Sequence, residues 1–244
     1  MARILVAGIY LADHPNNAPA LIAAAAGQGV TQRWIALELA GPGRGELPHT
    51  VAVLQGPQPK YRLLDRLAAD AAAFDWVLLL DDDIELAPGF LPALVEAATR
   101  CDLALCQPAR TADSEIEHPI TVAVPGLLAR RTRFVEIGPC VLIRRDAVPL
   151  ILPFGEVGMG WGLDLVWPVR IEAAGLAMGI VDAVPVAHRL RKRGSTYDDS
   201  LAWDAMQRML AVTPHLAFEQ AFTELARWPA ACDADPPNPM REAP

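Results

Sequence analysis

Apolar residues fall along this chain in short blocks separated by helical stretches. Ile4-Leu-Val-Ala-Gly-Ile-Tyr10 is apolar without polar alternation, the pattern of a strand buried on both faces, and with Arg3 it predicts a strand over 3–10. Asn16-Asn17 marks a helix start, and the alanine-rich stretch that follows closes near Gly27 and Gly29. Strands are expected over 34–39 and 50–55, on either side of the loop Gly41-Pro-Gly-Arg-Gly45. Leu64, Leu67, Ala68 and Ala71 share one helical face over 61–73. Trp76-Val-Leu-Leu-Leu80 is an all-apolar strand, 88–100 a helix with proline at its start, and 103–107 a strand again. This alternation predicts an α/β fold whose central sheet is mostly parallel and covered by helices on both faces.

Beyond Pro108 the periodicity loosens. Strands are expected over 120–124 and 134–143, with Arg130-Arg131-Thr-Arg133 as a basic turn between them. A helix interrupted by Pro168 is expected over 163–174, a short strand over 179–181, and amphipathic helices over 201–212 and 216–228. Neither an internal repeat nor a low-complexity linker divides the chain, so 1–230 is expected to form a single domain. The proline-rich end, 231–244, is expected to be a disordered tail outside that fold.

The 244 residues are 52% hydrophobic, 20% charged and 6% aromatic, with mean hydropathy +0.23, enough apolar material for a sizeable core. No stretch approaches the ~18 uninterrupted apolar residues of a membrane span. The net charge of −8, from 21 basic and 29 acidic residues, opposes binding of a nucleic acid through bulk charge, although a local basic patch can still hold phosphate. Cys101, Cys106, Cys140 and Cys232 contain no C-x-x-C pair, which excludes a zinc ribbon or thioredoxin-like motif and fits free thiols in a reducing compartment. The apolar run 4–12 after Arg3 imitates a signal peptide, but Asp13 and His14 follow it with no small-residue cleavage pattern. A cytoplasmic protein is expected.

Three stretches carry candidate chemistry. Asp81-Asp82-Asp83-Ile-Glu85 sets three carboxylates at the end of a buried strand, where they repel one another unless a cation joins them. Open α/β sheets bind ligands at that end of their strands. The D-x-D spacing lets one acid take a ribose hydroxyl while another ligates a divalent ion. The plain alternative is an N-capping, solvated acidic turn. A second stretch is His188 followed by Arg189, Arg191, Lys192 and Arg193, an imidazole for the aspartates with cations for a diphosphate, or else a solvated charge run. In the third, Gly158-Met-Gly160-Trp161-Gly162-Leu-Asp164, glycines let a backbone approach a ligand, Trp161 can stack on a sugar or base, and Asp164 can act as a base or simply face the helix dipole.

Taken in order, these features resemble the metal-dependent nucleotide-sugar glycosyltransferases of the GT-A type. More closely, the chain resembles the DUF707 family, over about residues 50–195. The resemblance is carried by Phe74-Asp-Trp-Val-Leu-Leu-Leu-Asp-Asp-Asp-Ile-Glu-Leu86, Glu117-His118-Pro-Ile-Thr121, Phe134-Val-Glu136, Cys140-Val-Leu-Ile-Arg144, Gly160-Trp-Gly-Leu-Asp164, and Val181-Asp182 with His188. Asp82 stands where that pattern has Glu, and Arg189 where it has Gln.

The resemblance implies a GT-A-like fold and transfer of a sugar from a UDP- or GDP-sugar to a carbohydrate or other hydroxyl acceptor. It places Mn²⁺ or Mg²⁺ on Asp81, Asp83 and His188; the donor is expected on Asp81, Asp82, Lys60, Arg191, Lys192 and Arg193. Asp164 becomes the base, giving inversion; Trp161 and Gly162 are expected to face the acceptor, and Glu136 and His118 either to face it or to make structural hydrogen bonds. Two rivals remain. One is a non-catalytic nucleotide- or carbohydrate-binding protein on the same scaffold. The other is a haloacid dehalogenase-type phosphohydrolase, whose D-x-D-x-[TV] run meets Glu85 at its last position.

Overall fold

A computed structural model describes residues 1–43, 45–191 and 199–230. Lys192, Arg193, Cys232 and the 231–244 tail lie outside the described residues. The strands are β1 (Ile4–Leu11), β2 (Val30–Glu38), β3 (Thr50–Gln55), β4 (Trp76–Asp81), β5 (Ile84–Glu85), β6 (Leu103–Arg110), β7 (Leu127–Thr132), β8 (Cys140–Arg144), β9 (Ala177–His188) and β10 (Glu224–Pro229). The helices are α1 (Ala18–Ala24), α2 (Lys60–Leu67), α3 (Phe90–Arg100), α4 (Val148–Ile151), α5 (Leu163–Ala173), α6 (Asp199–Leu210) and α7 (Phe218–Ala221), with 3-10 turns at Ala71–Ala73 and Pro119–Thr121.

These strands form one 10-stranded sheet in the order β10-β7-β9-β6-β8-β4-β1-β2-β3, with β5 pairing β9 off that path. The strands β3, β2, β1 and β4 are mutually parallel, as expected from the βα alternation. The sheet as a whole is mixed, not mostly parallel: β8 enters antiparallel between β4 and β6, and β7 is antiparallel to both β9 and β10. Successive residues of the central strands bury opposite faces. Val6 and Leu78 pack with Phe90 and Leu94 of α3, while Leu5 and Val77 pack with Leu64 of α2 and Trp167 of α5. That double burial is why these strands read as unbroken apolar runs.

Several elements differ from the sequence expectation, each for a physical reason. Helix α3 begins at Phe90, because Gly89 is left-handed at φ 73° and stands before the first helical turn. Residues 120–124 hold a 3-10 turn rather than a strand. Arg130 and Arg131 lie within β7, not in a turn, since Asp182 of β9 neutralises the buried Arg130 guanidinium. The short strand expected at 179–181 is the middle of the 12-residue β9. The expected helix 216–228 is split into α7 and β10, whose edge pairing with β7 overrides the helical period. Cys101, Cys106 and Cys140 are buried free thiols. Among the described residues no helix is long and apolar enough to cross a membrane.

Candidate functional site

The aspartate run stands at the carboxyl end of β4, where the parallel half of the sheet opens. Its backbone is tied to the loop after β1: Asn17 donates its N–H to the Asp82 carbonyl at 2.6 Å and its side-chain amide to the Ile84 carbonyl at 3.2 Å. Each carboxylate meets at least one basic side chain. Lys60, at the start of α2, places Nζ 2.6 and 2.7 Å from the two Asp81 oxygens. Gly138 makes room for this pair, since a Cβ there would lie 3.0 Å from Asp81 Oδ2 and 3.1 Å from Lys60 Nζ. Asp82 is buried, accepts the Leu11 N–H at 2.7 Å and forms a close ion pair with Arg191. Burial pushes the Asp82 carboxyl up to about 6, against the opposing pull of Arg191.

Asp83 Oδ2 lies 3.2 Å from His188 Nε2 and 3.3 Å from Arg191. The pairing of β5 with β9 sets this contact by bringing Ile84 opposite His188. Burial raises the Asp83 pKa, but the hydrogen bond to His188 and the nearby cations Arg191 and Lys60 outweigh it and leave it below the ordinary value. Its other oxygen, Oδ1, is buried with no hydrogen-bond partner among the described residues.

A residue that sequence reasoning missed completes the cluster. Arg110 ends β6, places Nη1 2.7 Å from His188 Nδ1, and pairs with Glu136 through Nη2 at 2.5 Å. The only local signal for it is a charge closing an otherwise buried apolar strand. Glu136 is itself buried, and burial raises its pKa despite Arg110. Asp164, in the first turn of α5, is raised to about 7 by burial and then by the charge of Glu136. A carboxyl titrating there is partly ionised at neutral pH and suits general-base chemistry.

Other sequence candidates lie at different distances from this chemistry. The glycines before Asp164 serve packing: a Cβ on Gly160 would lie 2.2 Å from the Tyr61 ring, and one on Gly162 would lie 2.8 Å from Met206 of α6. Both have positive φ, so the loop demands glycine for its turn as well as its contacts. Trp161 is half-buried beside them. His118 sits in an aromatic group, with its ring 4.8 Å from Phe134 and 5.2 Å from Phe222, and burial followed by the charge of Arg110 lowers its pKa to about 4. Arg189 turns to the surface, paired with Glu85 and Asp113. A cavity of about 480 Å³ opens elsewhere, lined by Arg131, Arg133, Glu172 and Leu225 among others, away from the aspartates.

The donor chemistry partly suits a hard divalent cation. Asp83 offers an unpartnered carboxylate oxygen two residues after Asp81. Yet Lys60 already holds both oxygens of Asp81, and no group of three or more His, Cys, Asp or Glu among the described residues forms a ready cage.

Comparison with known proteins adds one finding. The structure is similar to that of GalNAc-T7 crystallised with UDP, GalNAc and Mn²⁺, with a TM-score of 0.53 and 12% identity over 87% of this chain. The fold is GT-A-like. This GT-A-like chain spans about half of that neighbour, 48% of its length. No family model and no curated protein matches it.

Proposed function

We propose that this protein is a nucleotide-sugar glycosyltransferase, moving a sugar from a nucleoside diphosphate to an acceptor hydroxyl. One observation carries the reading. Lys60, Asp81, Asp82, Asp83, His188 and Arg191, drawn from three separate stretches of the chain, gather at the strand end where open α/β sheets bind ligands. The GalNAc-T7 neighbour was crystallised with UDP and Mn²⁺, which makes a UDP- or GDP-sugar and Mn²⁺ or Mg²⁺ the first donor and cation to test.

In this reading Lys60 and Arg191 lie against the diphosphate, Asp81 and Asp82 orient the nucleotide, and Lys192 and Arg193, outside the described residues, are further candidate cations for it. Asp83, through its unpartnered Oδ1, and Asp81 would hold the cation beside His188. When bound, that ion supplies Lewis acidity to the departing diphosphate. Asp164 takes the proton of the acceptor hydroxyl, and with one base and no assigned nucleophile the displacement is single and inverting. Glu136, Trp161, Gly162 and His118 remain on the acceptor side of the proposal, and kinship with DUF707 rests on the sequence stretches alone.

A second reading, a non-catalytic binder, is favoured by the prior pairing of all three aspartates with Lys60, Arg191 and His188. Titration with UDP and GDP, with and without Mn²⁺, tests the first reading. Metal-dependent binding that Asp83→Ala removes is expected, and binding of neither nucleotide would overturn it. Slow release of free nucleoside diphosphate from a donor sugar separates an enzyme from a binder.

A further inference from the structure

We infer that Arg110 is a positioning residue that fixes the protonation pattern of His188, so that the imidazole donates a hydrogen bond to Asp83 instead of ligating a cation through Nε2. The geometry leaves one workable form of the ring. A guanidinium has five N–H donors, no acceptor, and does not lose its charge in proteins. Nδ1 of His188, 2.7 Å from Arg110 Nη1, must therefore present its lone pair. In a neutral ring the proton then sits on Nε2, which lies 3.2 Å from Asp83 Oδ2 and donates to it. A doubly protonated ring would set N–H against N–H at Arg110. The other neutral tautomer would do the same and leave two lone pairs facing each other at Asp83.

Metal-ligating histidines give a lone pair to the ion and pass their remaining N–H to an acceptor such as a carboxylate or carbonyl. Here the polarity is reversed, because the remaining nitrogen faces a donor that cannot change sides. Arg110 is also held in place. Its Nη2 pairs with Glu136 at 2.5 Å and donates to the Gly138 carbonyl at 3.3 Å, and withdrawing it would strand the buried Glu136 carboxylate. The imidazole is anchored from its backbone as well, since the His188 N–H donates to Ser114 Oγ at 3.0 Å. His188 thus occupies Oδ2 of Asp83 and leaves Oδ1, buried and without a partner among the described residues, as the oxygen that meets a cation.

The cation's presence rests on the transferase reading; the ring's protonation pattern does not. Nitrogen-15 correlation spectra of the histidine rings, with His188→Gln to identify the signal among the five histidines, read that pattern directly at neutral pH. The expected result is Nδ1 in the range of a lone-pair nitrogen and Nε2 in the range of N–H, in the metal-free protein and equally with UDP and Mg²⁺ added. A proton on Nδ1 in either sample would overturn the inference. Pulsed electron paramagnetic resonance with Mn²⁺ and UDP supplies the second reading, with no coupling to a directly bound ring nitrogen expected. A nitrogen coupling that disappears in His188→Gln would overturn it too. If the protein binds neither Mn²⁺ nor UDP, the donor reading fails, and the metal-free spectrum still decides the role of Arg110 when set beside that of Arg110→Gln: Nδ1 should gain a proton in that variant, and an unchanged His188 pattern would overturn the inference.

Discussion

Arg130 and Asp182 pair between β7 and β9 with side chains 4% and 0% exposed, while Lys60 and Asp81 pair at the end of β4 with side chains 22% and 29% exposed. The first pair is closed on itself. Arg130 Nε and Nη2 donate to the two Asp182 oxygens at 2.9 Å each, the Val124 N–H donates to the same carboxylate at 2.9 Å, and Nη2 also reaches the Val122 carbonyl at 3.0 Å. At the second place Asp83 Oδ1 has no partner among the described residues, and burial holds Asp82 above its ordinary pKa. A satisfied buried pair rigidifies the fold, whereas an unsatisfied one costs stability and marks a place where a ligand can complete the set. The difference separates architecture from candidate site more cleanly than the number of charges does.

The largest effect is expected at the closed pair. Asp182→Ala leaves the buried Arg130 charge with only its longer contact to Glu224 at 3.8 Å, and should cost about 3–5 kcal/mol in urea unfolding; a loss below about 1 kcal/mol would erase the contrast. At the open cluster the large effect should fall on chemistry instead. Asp164→Asn should lower the transfer rate by about 10²–10⁴-fold while leaving affinity for the nucleoside diphosphate unchanged. Weaker nucleotide binding in that variant would remove Asp164 from the role of base. Transfer by the native protein should rise with pH through about 7, as Asp164 loses its proton.

A smaller, pH-dependent effect separates the two places further. The folded pKa of Asp82, about 6, lies above its ordinary 3.8, so the folded state holds this proton more tightly than the unfolded chain does. Its contribution to stability is therefore present at low pH and is lost as pH rises from about 4 to 6, on the order of 1–3 kcal/mol. Urea unfolding across that window should show Asp82→Asn lacking this decline; an unchanged pH dependence would mean that Arg191 offsets the burial of Asp82 fully. The smallest expected change in stability is at Lys60. Lys60→Met should alter unfolding by less than about 1 kcal/mol, yet weaken nucleoside diphosphate binding about tenfold through loss of a charged hydrogen bond. Unchanged affinity would leave the Lys60–Asp81 pair as architecture like Arg130–Asp182.

The parallel half was legible because its information is local. The apolar runs of β1 and β4, and the periodic Leu64, Leu67 and Ala68 around α2, follow from burial on two faces of a sheet and one face of a helix. The aspartate run was legible as a site because a strand end concentrated like charges there. The other half resisted for the opposite reason. Arg130 and Arg131 look like a turn until Asp182 neutralises the first of them, and 224–229 looks helical until β7 offers an edge to pair with. Arg110 carried no spacing or motif, and its contacts lie 26 and 78 residues away in the chain.

The sequence alone determined that strands and helices alternate in the first half, that three acids close the fourth strand, and that His188 and Arg191 stand together downstream. These are properties of neighbouring residues, set by backbone periodicity and local charge. Only the tertiary structure decided that the sheet is mixed, that Lys60, Arg191 and His188 converge on the three aspartates, and that Arg110 faces the imidazole. Hydrogen bonds and ion pairs act over about 3–4 Å, a range that depends on where strands pair and not on how far apart residues lie in the chain.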